Sequence, residues 1–266
     1  MAEPEHLANA VDELLDSPGG RILTAARMYL VERVRLLTLV FACGFAATFP
    51  LTKRFIAWLI DPNRLPTNVE IIVITPVEFI LLQVQLAAHV GLLAVVLVFV
   101  TEISWRASKN PNVKERLAEL QLKKLRPNRT VALTLISAVS LMAVGIYYSW
   151  NWLIQMLLEY LTTDAQNAGL ATEWRLTSYT SFIANLALAS AIGFQAPLVT
   201  LLVLRFEVVR RSTVKSYRRH IWFCAFILGA FLSPPDPLSL FLVAMPVVIL
   251  FEIALAIDAL TREENA

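Results

Sequence analysis

Charge-free apolar runs divide the chain into six predicted membrane spans. The first covers about Leu36–Leu51, bounded by Glu32, Arg33 and Arg35 on one side and by Lys53 and Arg54 on the other. The second is about Phe79–Val100. The third, about Val131–Trp152, closes on "YYSWNW", an aromatic cluster of the kind that settles at headgroup level. The fourth is about Ser181–Leu204, and the last two are Ile221–Ser233 and Leu238–Ile257, separated by "PPDP". About 20 apolar residues at 1.5 Å each cross a hydrocarbon core of about 30 Å. The fifth run has roughly 20 Å of helix by the same arithmetic, so it needs a thinned bilayer, tilted neighbours or a partner helix.

Composition agrees. Of 266 residues, 57% are hydrophobic and 17% charged, against about 45–50% and about 25% in soluble domains. The reading is all-α and polytopic, with three parts: an amphipathic N-terminal segment (1–35), a membrane domain (36–257) and a short tail (258–266). "MAEPEHLANAVDELL" is acidic and amphipathic, unlike a cleaved signal peptide.

Charge then orients the spans. With six of them, 19 Lys and Arg fall on the side of the two termini and four (Lys53, Arg54, Arg64, Arg175) on the other. The positive-inside rule places both termini in the cytoplasm. The outer loops, 52–78 and 153–180, are long and fairly apolar, which predicts short helices capping the outer surface. No internal repeat of the inverted-transporter kind is visible, and the chain has only 8 glycines.

Ionisable groups at membrane depth are costly and default to functional candidates. Here they are Glu78, His89, Glu102, Glu207, Asp236, Glu252 and Asp258, with Gln195 as the central polar residue of span four. Glu102, Glu207 and Asp258 lie near span ends, within reach of headgroup water. Glu78 follows Pro76 in a first helical turn, where a carboxylate favours the dipole. His89 fits either a bond to another helix or a proton relay. Glu252, in "LFEIA", fits a structural or a functional role equally. Asp236 caps the helix that Pro237 starts. Cys43 and Cys224 form no disulfide or metal pattern. The three histidines (His6, His89, His220) are far apart, and there is no phosphate loop or nucleophile elbow. The expectation is no catalysis, no metal and no cofactor.

Several segments together resemble the TatC family, the multispan core of the twin-arginine protein translocase. "SYTSFIANLALASAIGFQAPLVTLLV" is similar to the family's SY-x-SF and F-[E/Q]-x-P pattern. "FLSPPDPLSLFLVAMPVVILFEI" resembles its short fifth span, T/S-P-P-D turn and sixth span. "YLVERVRLL" resembles the segment before span one, and "TPVEF" the start of span two.

The resemblance implies a concave bundle with two short final spans, in the cytoplasmic membrane of a prokaryote. It implies a receptor for twin-arginine signal peptides of folded cargo, with TatA- and TatB-type single-span partners, a homo-oligomeric complex in the bilayer, no nucleic acid, and energy from the proton-motive force. Carboxylates before span one and in the loop after span two would grip the arginine pair. Glu32 matches the first, with Arg35 beside it; its alternative is pairing with Arg33 or Arg35 on its own helix. For the second, "SKNPNVKER" departs from the family's F-x-x-P-G-L-Y-x-x-E-R spacing. Glu115, followed by Arg116, matches best, with Glu119 and Glu102 as rivals. Gln195 stands where many members have glutamate, and Gln85 where the family tends to have lysine. With Glu252, Gln195 is a candidate contact for a partner or guest chain. The alternative is a secondary transporter or channel using His89, Gln195 and Glu252.

Overall fold

The computed structural model describes residues 18–61, 70–109, 127–169, 173–205, 209, 211–232 and 237–263. Glu115, Arg116, Glu119, Glu207 and Asp236 lie outside these. The elements run α1 (Pro18–Leu59), β1 (Glu70–Ile72), α2 (Val77–Lys109), α3 (Pro127–Tyr148), a π-helical turn (Ser149–Leu153) and α4 (Ile154–Asn167). Then follow β2 (Glu173–Arg175), α5 (Leu176–Gly193), α6 (Ala196–Arg205), α7 (Arg211–Ser216), α8 (Arg218–Leu232) and α9 (Pro237–Glu263).

Among the described residues, five helical segments are long and apolar enough to cross a membrane: Val31–Leu59, Val77–Trp105, Val131–Asn167, Leu176–Arg205 and Pro237–Thr261. The run expected as span five is helical within α8, but its 15 residues reach only about 22 Å. Five long spans therefore stand where six were expected.

The helices exceed their apolar runs. α1 was expected to end near Leu51, yet it continues through Pro50 to Leu59. Thr52, Ile56 and Leu59, at i, i+4 and i+7, are buried while Lys53, Arg54 and Phe55 face out. α3 passes without a break through the widened turn "SWNWL" into α4. There Leu153, Ile154, Leu157 and Leu158 pack against Tyr179, Ile183 and Leu186 of α5. The expected cap helices are in part these extensions. The cap also contains a parallel ladder, β1 against β2, pairing Glu70 with Glu173, Ile71 with Trp174 and Ile72 with Arg175. An all-helical reading missed it, although "EIIVIT" is rich in β-branched residues.

Proline accounts for two local features. The fourth span breaks into α5 and α6 because Pro197 has no N–H to offer the Gly193 carbonyl. Gln195 sits in that break. In α9, Pro246 likewise leaves the Leu242 carbonyl without its helical donor. The Tyr148 hydroxyl of α3 donates to that carbonyl at 3.1 Å. A backbone acceptor that would otherwise go unsatisfied in hydrocarbon thus ties two spans together.

Among the described residues, five glycines mark helix crossings, Gly229 of α8 against Leu240 and Ala244 of α9 among them. A Cβ on Gly145 would lie 2.6 Å from the Ser190 carbonyl oxygen, and one on Gly193 would lie 2.5 Å from Val247 Cγ2. Gly44 and Gly91 face each other where α1 meets α2. Glycine is scarce, but it falls where helices pack most closely.

Candidate functional site

The antiparallel helices bring polar groups together at two ends and at one intermediate level. At the ladder end, "TPVE" makes the glutamate half of a capping box, and the Thr75 hydroxyl donates to Glu78 Oε1 at 3.1 Å. Glu78 N–H donates to the Thr75 carbonyl (3.1 Å), and Thr75 N–H donates back to Glu78 Oε1 (3.2 Å). Arg175, at the end of β2, donates to the same oxygen through Nε at 2.9 Å. The Glu78 side chain is only 3% exposed, so this pair joins the start of α2 to the start of α5. The dipole-favouring position foreseen for Glu78 is occupied, with a partner 97 residues away that the sequence did not reveal.

At the opposite end, the basic end, α1 presents two faces. Leu37 is buried and Arg33, one turn earlier, points the same way, with its Nε 2.9 Å from Glu102 Oε1 on α2. Glu32 and Arg35 fall on the exposed face. Glu102, one rival for the second contact, is thus shielded (10% exposed) and already faces a guanidinium. Ser104 Oγ and Thr134 Oγ1, 2.8 Å apart, join α2 to α3 close by.

The last helices meet at the same end. Arg205 Nη2 donates to Thr261 Oγ1 at 2.6 Å. Asp258 was expected to reach headgroup water, but it is fully buried. The Nε atoms of Arg205 and Arg211 each lie 3.7 Å from one of its oxygens. Both oxygens lack a hydrogen bond, so its charge is balanced through space by two cations. Glu252 accepts from Arg218 Nε and from Trp222 Nε1 (2.8 Å), tying α8 to α9. Sequence reasoning missed these partners, which lie 30 to 56 residues away.

At the intermediate level, Gln195 is 3% exposed and its Nε2 donates to the Ala138 carbonyl at 3.0 Å. Its Oε1 is buried without a partner. The amide pins the α5–α6 break against α3. Nearer the ladder end, Ser181 Oγ donates to Gln85 Oε1 (2.7 Å), and Gln85 Nε2 reaches Asn185 Oδ1 (3.5 Å). His89, one turn along α2, has Asn185 as a side-chain partner. Gln85 and His89 therefore belong to one polar seam between the second and fourth spans. Among the described residues no three His, Cys, Asp or Glu side chains converge as a metal site needs.

Solved structures share this fold. One described as "Crystal Structure of Twin Arginine Translocase Receptor- TatC" superposes with a TM-score of 0.68 at 23% identity, covering 87% of this chain and 96% of its own. The Sec-independent protein translocase protein TatC of Aquifex aeolicus is 25% identical, over 91% of this chain and 97% of its own length. The protein of that name from Listeria innocua is 23% identical, over 90% and 92%. The TatCt protein of Haloferax volcanii is 28% identical over 89% of this chain, which spans only 32% of that longer relative. Residues 28–246 match the family described as "TatC: Sec-independent protein translocase protein (TatC)". This multi-pass membrane protein belongs to the TatC family.

Proposed function

We propose that this chain is the signal-peptide-receiving core of a twin-arginine translocase. The observation that carries the reading is the two-faced stretch Glu32–Leu37 of α1, within a chain of this family. Arg33 is turned inward to Glu102 while Glu32, at the family's motif position, stands on the exposed face. Glu32 then offers an incoming guanidinium a planar acceptor that it can grip through two N–H groups. Arg35 flanks it and sets its orientation. Glu115, with Arg116 beside it, supplies the second carboxylate, and Glu119 is its nearest rival.

In this reading α8 is a short fifth span that brings the count to six, and both termini are cytoplasmic in a prokaryotic plasma membrane. Residues 1–35, 36–257 and 258–266 then act as cytoplasmic segment, membrane domain and tail. The bundle is a concave scaffold that shelters the signal's apolar segment. Gln195, with its spare acceptor oxygen at mid-depth, and Glu252, nearer the basic end, are the contacts for a partner or guest chain. TatA- and TatB-type subunits and further copies of the chain complete the complex, and the proton-motive force drives transport.

The test is an export assay in a host lacking its own family member. A folded reporter with a twin-arginine signal is expected outside the membrane only when this chain and its single-span partners are present. Export in their absence, or no export with all of them inserted, contradicts the reading.

A further inference from the structure

A basic cleft at the start of α8 is lined by none of Glu32, Arg35 and Gln195. Lys215, Ser216, Arg218, Arg219 and Trp222 line an open hollow of about 310 Å³. Arg218 is held in place: its Nε is bonded to Glu252, and its guanidinium lies over the Trp222 ring, 5.1 Å from the centroid. Trp222 is itself fixed by its N–H bond to Glu252. Lys215 and Arg219 are exposed and have no ion-pair partner among the described residues. Among the described residues, three cations thus face one hollow with the Glu252 carboxylate behind them.

The surface below the hollow is apolar. Arg219, Phe223, Ile227 and Phe231 follow one another at i, i+4 spacing along α8. Phe223 is 64% exposed and Phe231 82%. A ligand matching this column has an anionic head and a long apolar tail. The helix itself adds a reason for such a ligand: at about 22 Å, α8 is shorter than the hydrocarbon core of about 30 Å. Headgroups beside it must lie deeper than their neighbours. Cations at that depth can hold phosphates there, as basic pockets between membrane helices do.

We propose that the cleft of Lys215, Arg218, Arg219 and Trp222 is a binding site for an anionic phospholipid, its phosphate in the cleft and an acyl chain along Phe223 and Phe231. The site requires only that the chain be embedded in a bilayer.

The test is native mass spectrometry of the full chain in mild detergent with equal phosphatidylglycerol and phosphatidylcholine. The intact chain is expected to retain phosphatidylglycerol selectively. K215Q/R219Q should lower that selectivity about 25-fold, since each surface cation contributes on the order of a fivefold preference. K53Q/R54Q, which removes two exposed cations from the far end of α1, should leave it unchanged. Equal losses in both variants would reduce the effect to general charge attraction and overturn the site. Soluble glycerol phosphate displacing the lipid at equal concentration would identify a free-phosphate site and overturn the lipid assignment. The single variants K215Q and R219Q give the same readout if the double variant is not recovered from membranes.

Discussion

Glu32→Ala is expected to weaken binding of a twin-arginine signal peptide about 10- to 100-fold while leaving the protein inserted. The magnitude follows from losing a charge-assisted, two-point hydrogen bond. Insertion should survive because Glu32 lies on the exposed face of α1, away from the side where Leu37 and Arg33 meet α2. Glu32→Asp should fall between, since it keeps the charge on a shorter arm. Titration of a labelled signal peptide against each purified variant checks this. Unchanged affinity in Glu32→Ala would assign Glu32 to helix surface chemistry alone. Arg33→Gln provides a contrast: it removes the ion pair with Glu102, so its damage should appear in the α1–α2 packing before it appears in peptide affinity.

Gly145→Ala is expected to destabilise the bundle by about 1–3 kcal/mol, the range for forcing extra volume into a packed interior. The added carbon would meet the Ser190 carbonyl oxygen at 2.6 Å. That neighbour is backbone, so shortening a side chain does not make room. Gly193→Ala has a different remedy, because its obstacle is the Val247 methyl at 2.5 Å. Thermal unfolding in detergent should therefore show Gly193→Ala largely rescued by Val247→Ala, while Ser190→Ala leaves Gly145→Ala as unstable as before. Rescue of both, or of neither, would mean that α3, α5 and α9 do not approach as described.

Much of the architecture was legible because the membrane imposes a coarse pattern. Runs such as Phe79–Val100 and Leu238–Ile257 admit few readings, and each lies within a helix. Helix ends were less legible. Apolarity stops near Leu51, but α1 goes on because Ile56 and Leu59 still find a buried face. The α5–α6 break could have been read from Pro197, and the free Leu242 carbonyl from Pro246. The hydroxyl that satisfies that carbonyl belongs to Tyr148, 94 residues earlier, and no local pattern points to it. The same holds for Asp258, which looks like a span-end acid until Arg205 and Arg211 are brought beside it. The β1–β2 ladder escaped notice because three-residue strands carry almost no periodic signal.

The candidate site divides along similar lines. Glu32 was recognisable because its motif is local and lies on one helix. Its exposure follows from the helical register that turns Arg33 toward Glu102. Gln195 was identified from its isolation in an apolar run, and the structure gives that isolation a reason: the amide occupies a proline-made break and holds the Ala138 carbonyl. Glutamine retains there the acceptor oxygen that a glutamate would offer. Glu252 looked like an isolated acid deep in a span because Arg218 and Trp222 are not visible from its neighbours in sequence.

The central claim is that this chain recognises paired arginines in a signal peptide. It is tested most directly by equilibrium binding of a twin-arginine signal peptide and its double-lysine variant to the purified protein in detergent or nanodiscs. A guanidinium can grip a carboxylate at two points where an ammonium offers a single point charge. The twin-arginine peptide is therefore expected to bind about tenfold or more tightly than the double-lysine peptide. Equal affinity for the two peptides, or no binding of either, would contradict the account.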